Sequence, residues 1–182
     1  MGWPVFSTMR MTSHQGVAVS RQPRQVLVLP ARVTGEGRHH YLVLHRSDMD
    51  VWQGVAGGVE DNESDVDAAY REVFEELGHR GTNELIMLDT FCSMPAGVFE
   101  QYRTTWPPGV FTVAEKAFGY LVEEPDGIVL STEHDDARWV EFDTAMGMLT
   151  WDSNTTALWE FRERLTSGTY DRMRVGDPDP QG

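Results

Sequence analysis

The stretch from Gly57 to His79 constrains this chain more than any other, because it joins a glycine-rich turn to a helix with a strongly patterned surface. Apolar residues recur three and four positions apart between Ser64 and Leu77, which predicts an amphipathic helix whose apolar stripe packs on a core. Ser64 is a typical N-cap residue, and Gly78 is typical of the left-handed position that ends a helix. The sequence therefore predicts both ends of this helix.

Three glutamates of the predicted helix, Glu72, Glu75 and Glu76, fall on one arc of its surface, because residues three and four apart are neighbours on a helix. Like charges at this spacing destabilise a helix by roughly 0.2–0.5 kcal/mol per pair. A hard divalent cation would reverse the sign, since magnesium is bound by a few carboxylates together with water and substrate phosphates. The alternative interpretation is a solvated acidic face without a ligand.

The order of fixed residues around this helix resembles the Nudix box, G-x5-E-x7-R-E-U-x-E-E-x-G-U, in which U is a bulky apolar residue. The positions that match are Gly57, Glu63, Arg71, Glu72, Val73, Glu75, Glu76 and Gly78. Only the last position departs, where His79 replaces an aliphatic residue. A match of this length is far more specific than a short glycine motif. His79 lies past the predicted helix end, so the departure concerns local packing rather than the glutamates.

The resemblance implies an α/β fold, namely the Nudix α/β/α sandwich with a mixed β-sheet, and a hydrolase of a nucleoside diphosphate linked to another group. It also implies Mg2+ as the cofactor, with Mn2+ as a substitute. The metal ligands that it implies are Glu72, Glu75, Glu76 and a backbone carbonyl at Ala56 or Gly57. Glu63 and Arg71 match the structural pair that braces the loop against the helix in this family. Glu60 lies at a loop position that is commonly glutamate in relatives, and we expect it to support the metal ligands.

A carboxylate is expected to take the proton of the water that attacks phosphorus. Members of the family differ in where this general base lies. Glu72 and Glu76 are the candidates within the box, and Glu133 and Glu115 are the candidates outside it. The sequence leaves the choice between these four residues open.

Short matches outside the box bear on the substrate. Trp52-Gln53, Leu130-Ser131-x-Glu133-His134, Arg138-Trp139-Val140 and Trp151-x-Ser153-Asn154 resemble the bacterial enzymes that hydrolyse dATP and dihydroneopterin triphosphate. Related enzymes that cleave diadenosine polyphosphates share parts of this pattern. The side chains that we expect to contact the substrate are Trp52, Arg46, Arg103, Lys116 and His134. For His134 a purely structural, hydrogen-bonded role stays open.

The rest of the chain reads as strands interspersed with helices. Strands are predicted at 24–33, 41–45, 85–99, 110–122 and 135–142, and helices at 64–77, 142–149 and 153–165. A short strand that begins at Val51 is predicted to lead into the glycine turn before the first helix. Pro30 predicts a bulge or an edge position in the first strand. Pro107-Pro108-Gly109 predicts an irregular loop before residue 110. The expected divisions are an N-terminal arm over 1–22, the hydrolase domain over 23–166 and a C-terminal tail over 167–182.

The composition excludes several classes of protein. Hydrophobic residues make up 40% of the 182 positions, and no apolar run reaches the roughly 18 residues of a membrane span, so we expect no membrane partner. The net charge of −14 argues against nucleic-acid polymers, which are bound through Lys and Arg, but it permits a small phosphorylated substrate. A single cysteine, Cys92, and an N-terminus without an apolar leader indicate a cytoplasmic protein. The oligomeric state stays open between monomer and homodimer.

We therefore expect a magnesium-dependent pyrophosphohydrolase that cleaves a phosphoanhydride bond of a nucleoside or pterin triphosphate. The first alternative is a hydrolase of dinucleoside polyphosphates or nucleotide sugars that uses the same site. The second alternative, of a different class, is a Nudix domain that binds a ligand without catalysis. The glutamates that the resemblance implies as metal ligands are all present, which disfavours this second alternative.

Overall fold

The computed structural model describes residues 20–79, 84–122 and 127–173, which form an eight-stranded mixed sheet between two layers of helix. The strands are β1 (Arg21–Val33), β2 (His39–Arg46), β3 (Val51–Gln53), β4 (Val55–Glu60), β5 (Leu85–Pro95), β6 (Thr112–Leu121), β7 (His134–Val140) and β8 (Arg172–Met173). The helices are α1 (Asp65–Leu77), α2 (Phe142–Met148), α3 (Asp152–Ser167) and a 3₁₀ helix over Ala96–Tyr102. This arrangement confirms the predicted α/β/α sandwich with a mixed sheet.

Strand β1 is the centre of the sheet. It pairs in parallel with β6 along one side, while its other side pairs antiparallel first with β4 and then with β2. Pro30 lies between Val28, the last residue paired with β4, and Ala31, the first paired with β2. Of the two predicted alternatives, the edge position is wrong because β1 is paired on both sides, while the antiparallel ladder is interrupted at Pro30. The proline is tolerated there because it has no N–H to leave unpaired.

Side chains alternate along β1 and contribute to two separate cores. Val26 and Val28 pack with the apolar stripe of α1, whereas Leu27 and Leu29 pack with α2 and α3 on the opposite face. The apolar stripe that the sequence predicted for α1 is therefore buried in the core, as expected. The acidic helix and the N-terminus of α3 consequently lie on opposite faces of the sheet.

The segment after β5 differs from its prediction. The strand expected to reach residue 99 ends at Pro95, and the 3₁₀ helix follows it. Phe99 and Trp106 form a small third core with Val113, so part of the loop that was predicted to be irregular is packed. The indole of Trp106 donates a hydrogen bond to the Arg21 carbonyl oxygen, which ties this segment to the start of β1.

Both ends of the described chain extend the sheet. Arg21 and Gln22, expected in the N-terminal arm, belong to β1, and Arg172–Met173, expected in the tail, form β8 at the edge beside β5. Local composition did not indicate these additions, because polar residues can complete a sheet edge by backbone pairing alone. The rest of the arm, 1–19, and of the tail, 174–182, lies outside the described residues. Within the described ranges, no helix is both long and apolar enough to cross a membrane.

Candidate active site

Helix α1 is fixed at both ends by the residues that the sequence indicated. The Ser64 hydroxyl accepts a hydrogen bond from the Asp67 backbone N–H at 3.1 Å. Gly78 adopts the left-handed conformation, with φ of 65°, and its N–H donates to the Phe74 carbonyl. Both predicted caps are confirmed. Capping satisfies backbone groups that a helix end otherwise leaves unpaired, so the acidic face starts from a well-defined helix.

Arg71 connects this helix to the glycine-rich strand β4. Its Nε and Nη2 donate to the two carboxylate oxygens of Glu63, each at 2.9 Å. Nη2 also donates to the Gly58 carbonyl oxygen at 2.7 Å, and Nη1 donates to Glu72 Oε1 at 2.7 Å. A two-pronged bond between guanidinium and carboxylate fixes both distance and orientation. Arg71 therefore holds α1, β4 and the first glutamate of the acidic face in one arrangement.

Glu72 is the most strongly perturbed carboxylate of the acidic face. Only 7% of it is exposed, and it lies against Gly57, where a Cβ atom would come within 1.8 Å of the Glu72 carboxyl carbon. Burial raises the pKa of Glu72 to about 7, even though the neighbouring Arg71 opposes this shift. Glycine at position 57 is thus required for space, and Arg71 offsets only part of the desolvation cost of the Glu72 carboxylate.

Glu76 is buried on the same face, next to the segment that leads into β7. The His134 ring nitrogen Nδ1 lies 2.6 Å from Glu76 Oε2, and the Ser131 hydroxyl donates to the same oxygen at 2.8 Å. Burial raises the pKa of Glu76, but the bonds from His134 and Ser131 outweigh it, so the pKa lies below its usual value. The two buried glutamates of α1 are therefore held in different electrostatic environments.

The acidic face suits a hard cation by its donor chemistry. Within the described ranges, no group of three acidic, histidine or cysteine side chains is already arranged so that it could bind a metal ion. Glu72 and Glu76 instead contact Arg71 and His134, while Glu75 is exposed. Three carboxylates on one helix face nonetheless provide the oxygen ligands that magnesium prefers. A cation would also offset the cost of burying the charge of Glu72, so the residues present fit such an ion.

A cavity of about 900 Å³ opens in front of this face. One wall consists of the box residues Gly57, Gly58, Arg71, Glu72, Glu75 and Glu76. The end of β5, the 3₁₀ helix and the first residues of α3 form the other walls. A volume of this size is typical of sites that enclose a small organic ligand.

The structure brings most of the predicted site residues to this cavity. Those that line it are Arg46, Ala56, Gly57, Glu60, Arg71, Glu72, Glu75, Glu76, Glu115 and Glu133. Glu63 lies behind the wall as the partner of Arg71, and its carboxylate also accepts a hydrogen bond from the Glu60 N–H at 3.0 Å. Glu133 lies 3.9 Å from Arg46, measured between Oε2 and Nη2. The candidates inside and outside the box thus surround one space.

Four of the five predicted substrate contacts do not line the cavity, and Arg46 is the one that does. The Trp52 ring packs against His45, and the Arg138 guanidinium lies over it, 4.8 Å from the centre of the Trp52 ring. Lys116 Nζ lies 3.8 Å from Asp65, and Arg103 is exposed at the end of the 3₁₀ helix. Their roles stay predictions, and the geometry of the cavity gives them no support. His134 also lies outside the lining, but it contacts Glu76 directly.

Two residues that line the cavity, Arg21 and Gln25, were missed. The Arg21 guanidinium lies over the rings of Phe99 and Tyr102, 5.0 and 4.8 Å from their centres. Gln25 lies on the same face of β1 as the buried Leu27. The sequence does contain a sign of Gln25, because a polar residue alternates there in step with the buried leucines of the strand. A buried polar side chain needs a hydrogen-bond partner, which indicates a polar site.

A family model described as the NUDIX domain matches residues 21–160. The dihydroneopterin triphosphate diphosphatase of Escherichia coli is 30% identical over 139 residues, which span 76% of this chain and 92% of that relative. A solved NUDIX hydrolase from Listeria monocytogenes superposes with a TM-score of 0.74 at 38% identity, over 84% of this chain and 100% of the other. The Escherichia coli dihydroneopterin triphosphate pyrophosphohydrolase superposes with a TM-score of 0.63 at 29% identity, over 79% and 97% of the two chains. The range that matches the family model contains strands β1 to β7 and the box residues that line the cavity.

Proposed function

The chain belongs to the Nudix family of hydrolases, and on this premise we propose that it is a magnesium-dependent pyrophosphohydrolase of a nucleoside or pterin triphosphate. The observation that carries the proposal is the acidic face of α1, whose glutamates Glu72, Glu75 and Glu76 line a cavity of about 900 Å³. The relative from Escherichia coli, named for dihydroneopterin triphosphate, supports the substrate class because the similarity spans 92% of its length.

The residues of the acidic face have distinct roles in this proposal. Glu72, Glu75 and Glu76, with a carbonyl of Ala56 or Gly57, would hold Mg2+. The ion would neutralise the pyrophosphate oxygens and make the attacking water more acidic. Arg71 orients the Glu72 carboxylate through Nη1, at 2.7 Å.

Glu133 is the residue that we propose as general base. It lines the same cavity as the box glutamates, and Arg46 lies 3.9 Å from its carboxylate. Glu76 is less suited to accept a proton, because His134 and Ser131 already contact its Oε2 and its pKa is lowered. Glu72 is needed to hold the cation. A base outside the box leaves all three box glutamates ionised for metal binding.

The metal assignment is tested by Glu76→Gln, which removes a ligand charge at nearly constant volume. We expect the magnesium-dependent release of pyrophosphate to be lost while the circular dichroism spectrum stays that of the wild type. Glu141→Gln is the matched control, because Glu141 lies on the surface in an ion pair with Arg38. Unchanged turnover in Glu76→Gln would contradict the metal assignment.

The substrate is tested with a panel of dATP, dihydroneopterin triphosphate, diadenosine tetraphosphate and ADP-ribose, with products separated by chromatography. A triphosphate cleaved at least about tenfold more efficiently than the other two compounds supports the proposal, since tenfold corresponds to about 1.4 kcal/mol of selective transition-state binding. Equal and weak cleavage of all four would contradict every substrate named here. Preferred cleavage of diadenosine tetraphosphate or ADP-ribose would favour the first alternative.

A further inference from the structure

Glu115 is a buried carboxylate that lines the cavity away from the acidic face. It lies in β6, only 4% of it is exposed, and its backbone is in register with Gln25 of β1. It is in phase with Ala117, which packs in the core under α2 and α3. The side chains of α1 pack on the opposite face of the sheet. Glu115 and the box glutamates therefore reach one cavity from opposite faces of the sheet.

The chain of hydrogen bonds around Gln25 fixes how Glu115 is held. Arg21 Nη2 donates to Gln25 Oε1 at 2.8 Å, and Gln25 Nε2 donates to Glu115 Oε2 at 2.9 Å. The orientation of the amide is unambiguous, because a guanidinium has only donors and must face the amide oxygen. Gln25 therefore presents N–H to Glu115, and this bond occupies only one of its two carboxylate oxygens.

The other oxygen of Glu115 is left without a partner. Oε1 is buried and makes no hydrogen bond of regular geometry with a described residue, although the Ser153 hydroxyl is close enough to favour the ionised carboxylate. Burial raises the pKa of the Glu115 carboxyl, and Ser153 and Gln25 oppose this shift only in part. A buried acceptor without a donor costs about 1–3 kcal/mol. Glu115 lines the cavity, and the final torsion of a glutamate is soft, so its carboxylate can turn toward a donor that enters the cavity.

We propose that Glu115 reads the heterocycle of the substrate, by accepting hydrogen bonds from the adjacent ring N–H and amino group of a 2-amino-4-oxo ring such as guanine or pterin. This inference rests on the proposed function, since it assigns the end of the same substrate that lies away from the phosphates. A carboxylate offers only acceptors when ionised, and this edge offers two neighbouring donors. Adenine pairs one amino donor with a ring acceptor, which an ionised carboxylate cannot satisfy.

A role of Glu115 as the general base is disfavoured by its position. The acidic face that would hold the cation lies on α1, and Glu115 belongs to the face covered by α2 and α3. Oε2 of Glu115 accepts its hydrogen bond from Gln25 rather than from any residue of the box. A group on the face of the sheet opposite the proposed metal ligands would act on binding of the heterocycle, so its loss should alter KM for particular rings rather than kcat for all substrates.

The test measures kcat and KM for dihydroneopterin triphosphate, dGTP and dATP, by pyrophosphate release from the full-length wild type, Glu115→Gln and Glu100→Gln. We expect the wild type to favour the two 2-amino-4-oxo substrates. Glu115→Gln should lower kcat/KM for these two by about 10–100-fold, mainly through KM, and leave dATP within about threefold, as expected for one lost charged hydrogen bond. Glu100→Gln makes the same chemical change at an exposed position outside the cavity lining, and should match the wild type.

Binding of dGMP and dAMP, measured by calorimetry, separates this inference from the proposed function, because neither nucleotide has a phosphoanhydride bond that the enzyme could hydrolyse. Weaker dGMP binding by Glu115→Gln, with dAMP unchanged, supports the heterocycle site even if no triphosphate is hydrolysed. Equal losses of kcat on dGTP and dATP would overturn the inference and make Glu115 a general catalytic or structural group. Equal affinities of the wild type for dGMP and dAMP would by themselves overturn the inference that Glu115 selects the heterocycle.

Discussion

The imidazole Nδ1 of His134 lies 2.6 Å from Oε2 of Glu76, and this contact joins the start of β7 to the acidic face of α1. Since a carboxylate only accepts, the contact fits the tautomer that has its proton on Nδ1. The other ring nitrogen, Nε2, is buried and has no hydrogen-bond partner among the described residues. Because His134 does not line the cavity, we propose that it positions Glu76 rather than contacts the substrate.

Replacing His134 with Ala should weaken metal-dependent turnover. Partners that orient metal ligands are typically worth 10–100-fold in metal affinity or activity, so we expect the half-saturating Mg2+ concentration to rise by about tenfold or more. The measurement is a magnesium titration of pyrophosphate release. His45→Gln is the control, because His45 contacts Asp135 and Asp50 on the surface. An unchanged magnesium titration in His134→Ala would show that Ser131 alone positions Glu76.

Gly57→Ala should lower turnover strongly while the fold is kept. The added methyl group would lie 1.8 Å from the Glu72 carboxyl carbon, so either the carboxylate or β4 must move. A displacement of about 1 Å at a catalytic site can cost about 100-fold in rate, which is the loss that we expect in kcat/KM. Gly97→Ala is a matched control, since a Cβ atom there meets nothing within 4 Å. Equal activities of the two variants would contradict this account.

Arg71→Lys should destabilise the protein as well as impair it. Lysine keeps the charge, but it cannot reproduce the paired bonds to Glu63 together with the bonds to Gly58 and Glu72. We expect the free energy of unfolding, measured in urea, to fall by about 1–3 kcal/mol. Arg162→Lys, at an exposed ion pair with Glu163, should change it by less than about 1 kcal/mol. Similar losses in both variants would mean that the geometry of the Arg71 cluster contributes little.

Glu160 provides a pH-dependent contribution to stability far from the cavity. Its carboxylate accepts hydrogen bonds from the Asp89 N–H at 2.7 Å, the Thr90 N–H at 2.8 Å and Arg164 Nε at 2.7 Å. Burial raises the pKa of Glu160, but these bonds outweigh it and bring the pKa below 4.5. Because the folded pKa lies below the unfolded one, the carboxylate stabilises the fold above about pH 4.5 and this is lost as the pH falls.

We therefore expect Glu160→Gln to reduce the free energy of unfolding by about 1–3 kcal/mol at neutral pH, measured by urea denaturation. The difference from the wild type should shrink as the pH falls through and below 4.5, where the wild-type carboxylate also becomes neutral. Glu163→Gln, on the same helix but exposed, should show little effect at any pH. A difference that stays constant from pH 7 to pH 3 would rule out the ionised carboxylate as the source.

The geometry of the acidic face was predictable because it depends on residues that are close together in the sequence. The helix period, the Ser64 cap, the Gly78 stop and the spacing of three glutamates all lie within one stretch of chain, where geometry follows from residue spacing. The sandwich followed from the order of elements and from the resemblance. The 3₁₀ helix and β8 did not, because pairing at a sheet edge and packing of a loop depend on partners elsewhere in the chain.

The sequence by itself thus determined α1, its caps, its acidic face and the layered fold around it. Only the tertiary structure decided which distant residues meet that face or share its cavity. Gln25 and Glu115 lie 90 residues apart and become partners solely through the parallel register of β1 and β6. Glu76 and His134 meet because β7 begins beside α1, whereas Lys116 lies 3.8 Å from Asp65, outside the cavity lining. Register sets these contacts, since a shift by one residue would turn each strand side chain to the other face.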